Sequence, residues 1–261
     1  MAFETIRYEV NDGIATVTMN RPEKLNAFNG AMVDELFQVV EEVYERDEIR
    51  VLILTGAGRA FSSGADYEWF NFEEWGPVIR TRARRLTHRL FDDLEYLEKP
   101  VIAAINGTCA GGGLELALSC DLRIAADSAR LGFPEVNAGI IPGSGGCSRL
   151  FHVVGTGRAK ELILMGELIS AERAETFGLV NLVVPPDALM PKAREMAETL
   201  IRKAPLAIGL AKHVINAALG VDPATGRVLE RLGSSVLIGS DDAREGARAF
   251  REKRPPRFQG R

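Results

Sequence analysis

The sequence has little cysteine and no apolar stretch long enough to cross a membrane. Its three cysteines, Cys109, Cys120 and Cys147, are an odd number without CxxC or CxxH spacing, so the sequence predicts neither a disulfide framework nor a zinc site. No apolar run approaches the roughly 18 residues of a membrane span, and the first five residues lack the basic and then apolar character of a secretory signal. We therefore expect a protein of the reducing cytoplasm.

The chain also lacks a strong excess of either charge. Its 32 Lys and Arg against 36 Asp and Glu give a formal net charge of −4, so it has no general attraction to nucleic acid or to an anionic membrane. One local exception is the basic stretch at 80–89, which includes Arg82, Arg84 and Arg85. Acidic residues follow it and no aromatic stacking signature accompanies it. We interpret it as a solvated helix face and do not expect nucleic-acid binding.

Strand and helix patterns alternate over the first two thirds of the chain. At 46% hydrophobic and 26% charged residues, the 261-residue sequence is typical of a soluble globular protein, with one large domain or a domain and an appendage. The predicted strands are 5–10, 14–19, 51–55, 101–105, 122–125 and 180–184, and the predicted helices are 30–46, 78–97, 114–120, 158–165 and 171–177. This alternation predicts an α/β fold.

The last quarter of the sequence has no strong strand signal. Helical patterns cover 187–203, 205–219 and 222–238, each bounded by proline or glycine. A final helix is predicted to start at Ser240, whose side chain can cap it, and to stop before Pro255. No low-complexity linker interrupts the chain. We predict a core at 1–186 and a helical region at 187–261.

The most informative stretch is 106–146. The strand at 101–105 leads into three glycines at 111–113 and then into a helix. Strand, glycine turn and helix aim unpaired backbone N–H groups at one point, which favours an anion. The lysine and Ser/Thr of a phosphate-binding P-loop are missing, and the spacing does not fit a dinucleotide fingerprint. The remaining interpretation is an oxyanion hole, in which fixed donors stabilise negative charge developing on a carbonyl oxygen.

Two glutamates flank this glycine turn in the sequence. Glu115 lies at the start of the predicted helix, and Glu135 follows Pro134 directly. Carboxylates beside an oxyanion hole indicate proton transfer next to a carbonyl, with an enolate as the stabilised species. The alternative is that Glu115 merely complements the helix dipole and Glu135 is a solvated loop residue. One motif alone leaves both interpretations open.

Several segments together resemble the crotonase (enoyl-CoA hydratase/isomerase) superfamily. They are Asn-Arg-Pro at 20–22, Leu-Asn-Ala at 25–27, Phe-Ser-Ser-Gly-Ala-Asp at 61–66, Asn-Gly-x-x-x-Gly-Gly-Gly-x-Glu at 106–115, Pro-Glu-x-x-x-Gly-Ile-Ile-Pro-Gly-x-Gly-Gly at 134–146, and Glu-Gly…Ala-Phe…Glu-Lys-Arg at 245–254. The resemblance implies a ββα spiral core followed by a C-terminal helical region that mediates trimerisation, with trimers commonly pairing into hexamers.

The same resemblance assigns roles in the site. Two backbone N–H groups, from Ala65 and Gly112, are expected to form the oxyanion hole. Glu115 is expected to orient and deprotonate a water molecule, and Glu135 to supply the proton that goes to Cα. The implied reaction adds water across the double bond of a 2-enoyl-CoA. Neither a metal nor a cofactor is expected, because coenzyme A is part of the substrate.

Other reactions of the superfamily remain open. A Δ3,Δ2-enoyl-CoA isomerase needs the same enolate but only one mobile proton carrier, and some relatives are other acyl-CoA lyases or hydrolases. Relatives that isomerise or hydrolyse often keep only one of the two acidic positions. The presence of both Glu115 and Glu135 therefore favours hydration. A remote alternative is an RNA-binding relative that would use the basic stretch at 80–89.

The coenzyme A path is less well marked. By resemblance, it is expected to involve a set of residues around the first oxyanion-hole segment: Lys24, Leu25, Ala27, Ser63, Ala65, Asp66, Tyr67 and Gly112. The aromatic segment at 67–77, which holds both tryptophans, is expected to cover the acyl group or to pack against its own protein. The region around Phe250 is a candidate to reach a neighbouring subunit's ligand.

Overall fold

The computed structural model describes residues 3–69 and 77–261, and within 77–86 its description is confined to the backbone. The strands are β1 Ile6–Asn11, β2 Ile14–Met19, β3 Val51–Gly56, β4 Ala60–Ser62, β5 Val101–Ile105, β6 Thr108–Ala110, β7 Leu122–Ala126, β8 Arg130–Gly132, β9 Leu168–Ser170 and β10 Leu182–Val184. The helices are α1 Gly30–Glu45, α2 Pro77–Tyr96, α3 Gly112–Leu118, α4 Gly146–Met165, α5 Ala171–Thr176, α6 Leu189–Ile201, α7 Pro205–Ala218, α8 Pro223–Ile238 and α9 Asp241–Glu252.

From β3 to β8, successive strands alternate between two sheets. The six-stranded sheet has the order β1-β2-β3-β5-β7-β10, and the four-stranded sheet has the order β4-β6-β8-β9. Only the β1–β2 and β8–β9 pairs are antiparallel among the described pairings. Three consecutive pairs, β3–β4, β5–β6 and β7–β8, each place their first strand in the large sheet and their second in the small one. The predicted α/β fold with repeated strand–strand–helix units is confirmed.

The large sheet is buried on both faces. One face joins the main core, in which α1, α2 and α3 pack on it through residues such as Val39, Leu94 and Leu116. The other face is covered by α6, whose Leu189, Ala193 and Ala197 pack against the strands. Burial on both faces explains why the central strands are nearly continuous apolar runs. The predicted division of the chain at residue 186 stays a prediction.

The C-terminal segment folds back onto α9. Ser240 caps this helix as predicted, because its Oγ accepts a hydrogen bond from the Ala243 N–H at 3.0 Å. The buried carboxylates of Asp242 and Glu245 hold the returning backbone: the Gln259 N–H donates to Asp242 Oδ1 at 2.7 Å, and the Arg257 N–H donates to Glu245 Oε1 at 3.0 Å.

None of the helices that the structure describes combines the length and apolar character needed to cross a bilayer.

The helix predicted at 158–165 is confirmed, and the structure adds a helical segment before it. Gly155 divides α4 with φ 76° and ψ 160°, which is not a helical conformation, and residues 158–165 lie in the second part. The first part begins at Gly146. It matters for the site, because the Gly146 N–H donates to Glu115 Oε1.

Candidate active site

A cavity lies where the two sheets, α2 and the start of α4 meet. The described residues that line it are Phe28, Ser63, Ala65, Tyr67, Thr87, Phe91, Gly111, Gly112, Glu115, Pro134, Glu135, Ile140, Ile141, Gly143 and Ser144. It is therefore largely apolar, with two carboxyl groups and a few backbone amides turned into it. This is the usual composition of a small-molecule site.

Ala65 lies in a short bridge with Phe28. The Phe28 N–H donates to Gly64 O at 2.7 Å, and the Asp66 N–H donates to Phe28 O at 2.9 Å. The Gly64 C=O and the Asp66 N–H therefore both point towards Phe28. The Ala65 N–H belongs to the same peptide group as the Gly64 C=O and points the opposite way, so it faces away from Phe28. Gly64 has φ +94°, and a Cβ placed there would lie 2.8 Å from the Gly112 nitrogen. A glycine at 64 is therefore needed for the two segments to approach each other.

The second backbone donor begins α3. Gly112 is its first helical residue, so its N–H has no partner within the helix. Among residues 3–69 and 77–261, neither the Ala65 N–H nor the Gly112 N–H donates to a protein acceptor. Both residues line the cavity. Two unpaired N–H donors from adjacent segments, fixed in place before any substrate arrives, are the arrangement required to bind an oxyanion.

Glu115 is held by the glycine-rich loop that precedes α4. Its side chain is 4% exposed, and its Oε1 accepts hydrogen bonds from the Ser144 N–H at 2.6 Å and the Gly146 N–H at 2.8 Å. Two donors to one oxygen fix the orientation of the carboxyl group. Position 146 needs a glycine, because a Cβ there would lie 2.5 Å from Pro142 Cβ, 2.9 Å from Phe133 Cε1 and 3.0 Å from Glu115 Oε1.

Glu135 is placed very differently. It lies in a 3-10 turn, Pro134–Ala138, and its Oε2 is buried without a hydrogen-bond partner among the described residues. Its Oε1 lies over Gly111, where an added Cβ would approach it to 2.8 Å. Burial, with the charge of Glu115 acting in the same direction, raises the pKa of Glu135 to about 7. A carboxyl group with this pKa can hold and release a proton near neutral pH.

The structure therefore brings four of the sequence-predicted residues together: Ala65, Gly112, Glu115 and Glu135. Ser63 and Tyr67, predicted for the coenzyme A path, also line the cavity. The other four predicted residues are not among the described lining residues: Lys24, Leu25, Ala27 and Asp66. Their part in coenzyme A binding stays a prediction.

Two of those four have structural partners near the segment that carries Ala65. Asp66 is 8% exposed and pairs with Arg21, whose Nη2 lies 2.9 Å from Asp66 Oδ2. Lys24 is exposed and pairs with Glu68 at 3.1 Å. Asp66 therefore fixes the segment that carries Ala65, whereas Lys24 lies at the surface, where a phosphate can reach it.

The aromatic segment is only partly described. Tyr67 lines the cavity, and Trp69 packs against the main core, with its Nε1 3.2 Å from the position of a Cβ at Gly30. Phe70, Phe72 and Trp75 lie outside the described residues, as do the side chains of Arg82, Arg84 and Arg85. Trp69 thus fits the alternative in which this segment packs against its own protein.

The sequence missed part of the site. It did not predict that the Ser144 and Gly146 amides hold Glu115, although the glycine run at 143–146 is the signal for such backbone donors. Thr87 and Phe91 line the cavity from α2, and nothing in their local sequence marks them. In the part of the chain that the structure describes, no group of three or more His, Cys, Asp or Glu side chains is placed to hold a metal ion.

Comparisons with known proteins agree with this geometry. Residues 9–261 match the family model described as enoyl-CoA hydratase/isomerase. The chain is 41% identical to a short-chain-enoyl-CoA hydratase of Clostridium acetobutylicum, over 97% of both chains. It is 38% identical to a crotonyl-CoA hydratase of Syntrophomonas wolfei, over 99% of both. The crystal structure of an enoyl-CoA hydratase from Bacillus anthracis superposes with a TM-score of 0.94 at 40% identity, covering 99% of this chain and 100% of that one.

Proposed function

Because this chain belongs to the enoyl-CoA hydratase/isomerase family, we propose that it hydrates a 2-enoyl-CoA to the 3-hydroxyacyl-CoA. The observation that carries the proposal is the pair Glu115 and Glu135 on one cavity with two unpaired backbone donors. Relatives named short-chain-enoyl-CoA hydratase and crotonyl-CoA hydratase support it. Hydration needs one group that takes a proton from water and one that gives a proton to carbon, and this cavity has a candidate for each.

The thioester carbonyl oxygen binds between the Ala65 and Gly112 N–H groups. When water attacks Cβ, electrons move through the double bond onto this oxygen and form an enolate. The two donors stabilise that charge in the transition state more than they stabilise the neutral carbonyl. A single donor of this kind typically contributes ~10²–10³-fold to turnover.

The glutamates divide the two proton transfers. Glu115, oriented by the Ser144 and Gly146 amides, accepts a proton from the water as its oxygen bonds to Cβ. Glu135, with its pKa raised to about 7, delivers a proton to Cα as the enolate collapses to the thioester. The two steps add one water molecule to the acyl-CoA and leave Glu115 protonated and Glu135 ionised. Release of the proton from Glu115 to solvent and uptake of a proton by Glu135 restore the starting state. The acyl-CoA supplies the thioester, solvent supplies the water, and the protein supplies the proton carriers and the backbone donors, so we propose a reaction without metal or redox cofactor.

Coenzyme A is proposed to run past the segment that follows β2. The support is that Ser63 and Tyr67 line the cavity. Lys24, Leu25, Ala27 and Asp66 are the further residues proposed for this path. The exposed ammonium of Lys24 is the natural contact for a phosphate there. Its partner, Glu68, is even more exposed, so the surface ion pair costs little to exchange for a phosphate.

We propose a trimer, or a hexamer of two trimers, built through the C-terminal helical region. α7 and α8 carry large apolar side chains in contact with solvent, including Val236 at 72% exposure, and Phe250 on α9 is 86% exposed. A concentration of exposed large apolar side chains on neighbouring helices supports an interface there. Phe250 is the candidate to reach a neighbouring subunit's ligand. If light scattering shows that the fully active protein is a monomer, this assembly is wrong. A cytoplasmic location fits the free thiols Cys109, Cys120 and Cys147.

Two substrates test the reaction. With crotonyl-CoA, we expect loss of the absorbance of the conjugated thioester, because hydration removes the double bond. With 3-hexenoyl-CoA, an isomerase would instead create that absorbance by moving the double bond into conjugation. If the protein acts on 3-hexenoyl-CoA and not on crotonyl-CoA, the function of this cavity is isomerisation and not hydration.

A further inference from the structure

The side chain of Arg149 lies between α2 and the glycine-rich loop. Its Nε donates to Glu95 Oε2 at 2.8 Å, its Nη2 to Asp92 Oδ1 at 2.5 Å, and its Nη1 to Ser144 O at 3.1 Å. The side chain is 13% exposed. A planar guanidinium can serve three acceptors in fixed directions at once, which a lysine ammonium on a flexible stem cannot do.

The loop contact connects Arg149 to the proposed water-activating glutamate. Ser144 accepts from Arg149 through its carbonyl oxygen and donates to Glu115 Oε1 through its N–H. Its backbone is therefore held on both sides. The two bonds use successive peptide groups, 143–144 and 144–145, so loss of the first loosens the residue whose N–H makes the second.

The loop is shaped around this guanidinium. Gly145 has φ +112°, and a Cβ there would lie 1.9 Å from Arg149 Nη1, so a side chain at 145 would displace the guanidinium. The backbone N–H of Arg149 also donates to Gly145 O at 2.7 Å. One residue thus contacts the loop through both its main chain and its side chain.

We propose that Arg149 is a positioning residue that holds the 144–146 loop in the conformation in which it fixes the Glu115 carboxylate. Through Asp92 and Glu95, it also ties that loop to α2, the helix that lines the cavity with Thr87 and Phe91. Arg149 itself is not among the described residues that line the cavity. The kinetic part of this inference rests on the proposed hydration.

A merely structural role predicts a different result. If Arg149 only joins two helices, its removal lowers stability but leaves the turnover of the folded enzyme unchanged. If it acts through Glu115, its removal lowers kcat and has little effect on KM, because substrate contacts stay intact. Its effect must then disappear once Glu115 can no longer take a proton.

The kinetic test compares Arg149→Met in the wild type and in the Glu115→Gln variant. Arg158→Met is the matched control, because Arg158 lies on the same helix and pairs with Glu161 at the surface, away from the loop. In the wild type, we expect kcat for crotonyl-CoA to fall roughly 10- to 100-fold, as displacement of a reacting group by up to about 1 Å does. In Glu115→Gln, the same change should cost less than about twofold. An equal loss in both backgrounds would overturn the proposal.

Hydrogen exchange gives a second, activity-independent test. The Ser144 and Gly146 amides are bonded to Glu115, so peptides covering 140–150 should exchange faster in Arg149→Met and remain unchanged in Arg158→Met. If Arg149→Met does not fold, Arg149→Lys replaces it, with a smaller acceleration and partial retention of kcat. If the wild-type enzyme does not act on crotonyl-CoA, the proposed hydration is wrong. The hydrogen-exchange result then decides the role of Arg149 by itself. Unchanged exchange in the loop would overturn that role.

Discussion

Glu115 and Glu135 face one cavity with opposite surroundings. Glu115 accepts two backbone hydrogen bonds on one oxygen, whereas Glu135 has a buried oxygen without a partner among the described residues. Hydrogen-bond donors favour an ionised carboxylate, and burial without donors favours a protonated one. Two carboxyl groups in environments that differ in this way are suited to act as base and acid in the same reaction.

The first prediction concerns removal of each ionisable group. Glu115→Gln keeps an oxygen that can accept from Ser144 and Gly146, and Glu135→Gln keeps the shape of its side chain. Each should lower kcat for crotonyl-CoA by ~10²-fold or more with little change in KM, because proton transfer occurs in the transition state. The double variant should lose less than the product of the two losses. Glu41→Gln, at an exposed position of α1, is the control and should be fully active.

The second prediction is a pH dependence that reverses with the direction of reaction. Hydration needs protonated Glu135, whose pKa is raised to about 7 by burial and by Glu115. The kcat/KM for crotonyl-CoA should therefore fall as the pH rises through about 7, approaching a tenfold loss per pH unit. Dehydration of 3-hydroxybutyryl-CoA needs the ionised form, so its kcat/KM should rise over the same range. Parallel profiles in the two directions would remove Glu135 from the acid role.

The third prediction uses the same carboxyl group as a probe of stability. A carboxyl whose pKa is raised in the folded state contributes stability that is fully present below its unfolded pKa and lost as the pH rises through about 7. Glu135→Gln cannot ionise. The free energy of unfolding of the variant minus that of the wild type should therefore rise by on the order of 1 kcal/mol from about pH 5 to about pH 8. This is less than the whole pKa shift corresponds to, because the group is partly exposed. Urea denaturation at both pH values measures this, and an equal difference at both would contradict it.

The fourth prediction concerns the glycine beneath Glu135. Gly111 has φ +54°, and a Cβ there would lie 2.8 Å from Glu135 Oε1. Gly111→Ala should therefore strain the turn, displace the carboxyl group and lower kcat by roughly 10-fold or more. Gly157→Ala in α4 is the matched control, because a Cβ there meets nothing within 4 Å. It lies just after the break at Gly155, away from the site, and should leave kcat unchanged. Equal activity of the two variants would contradict the placement of Glu135.

The large sheet could be predicted from the sequence, and the small sheet could not. β3 and β5 are apolar, β-branched runs of six and five residues, which is long enough to identify them. The small-sheet strands β4, β6, β8 and β9 have three residues each, too few for an alternating pattern. β4, β6 and β8 each follow a strand of the large sheet, which places them side by side, and β9 then pairs with β8 after α4. This arrangement is a property of the tertiary fold.

The site also has one part that local sequence motifs indicate and another that only the structure shows. The glycine turn and the two glutamates at 106–135 indicate part of the site from the residues alone, and the family resemblance implies the two backbone donors through the local motifs at 61–66 and 106–115. The bonds from Ser144 and Gly146 to Glu115 join residues about 30 positions apart in the sequence. Arg149 reaches Asp92 and Glu95 over more than 50 positions. Contacts over such separations have no local signal, so they required the structure.

The most direct test of the central claim is mass spectrometry of the product formed from crotonyl-CoA in isotopically labelled water. If Glu115 activates water and Glu135 delivers a solvent-derived proton, the wild-type product should carry heavy oxygen on Cβ and one deuterium on Cα. Glu135→Gln and Glu115→Gln should each form this doubly labelled product at least ~10²-fold more slowly. A wild-type product that carries deuterium but no heavy oxygen, with the double bond moved along the chain, would contradict hydration.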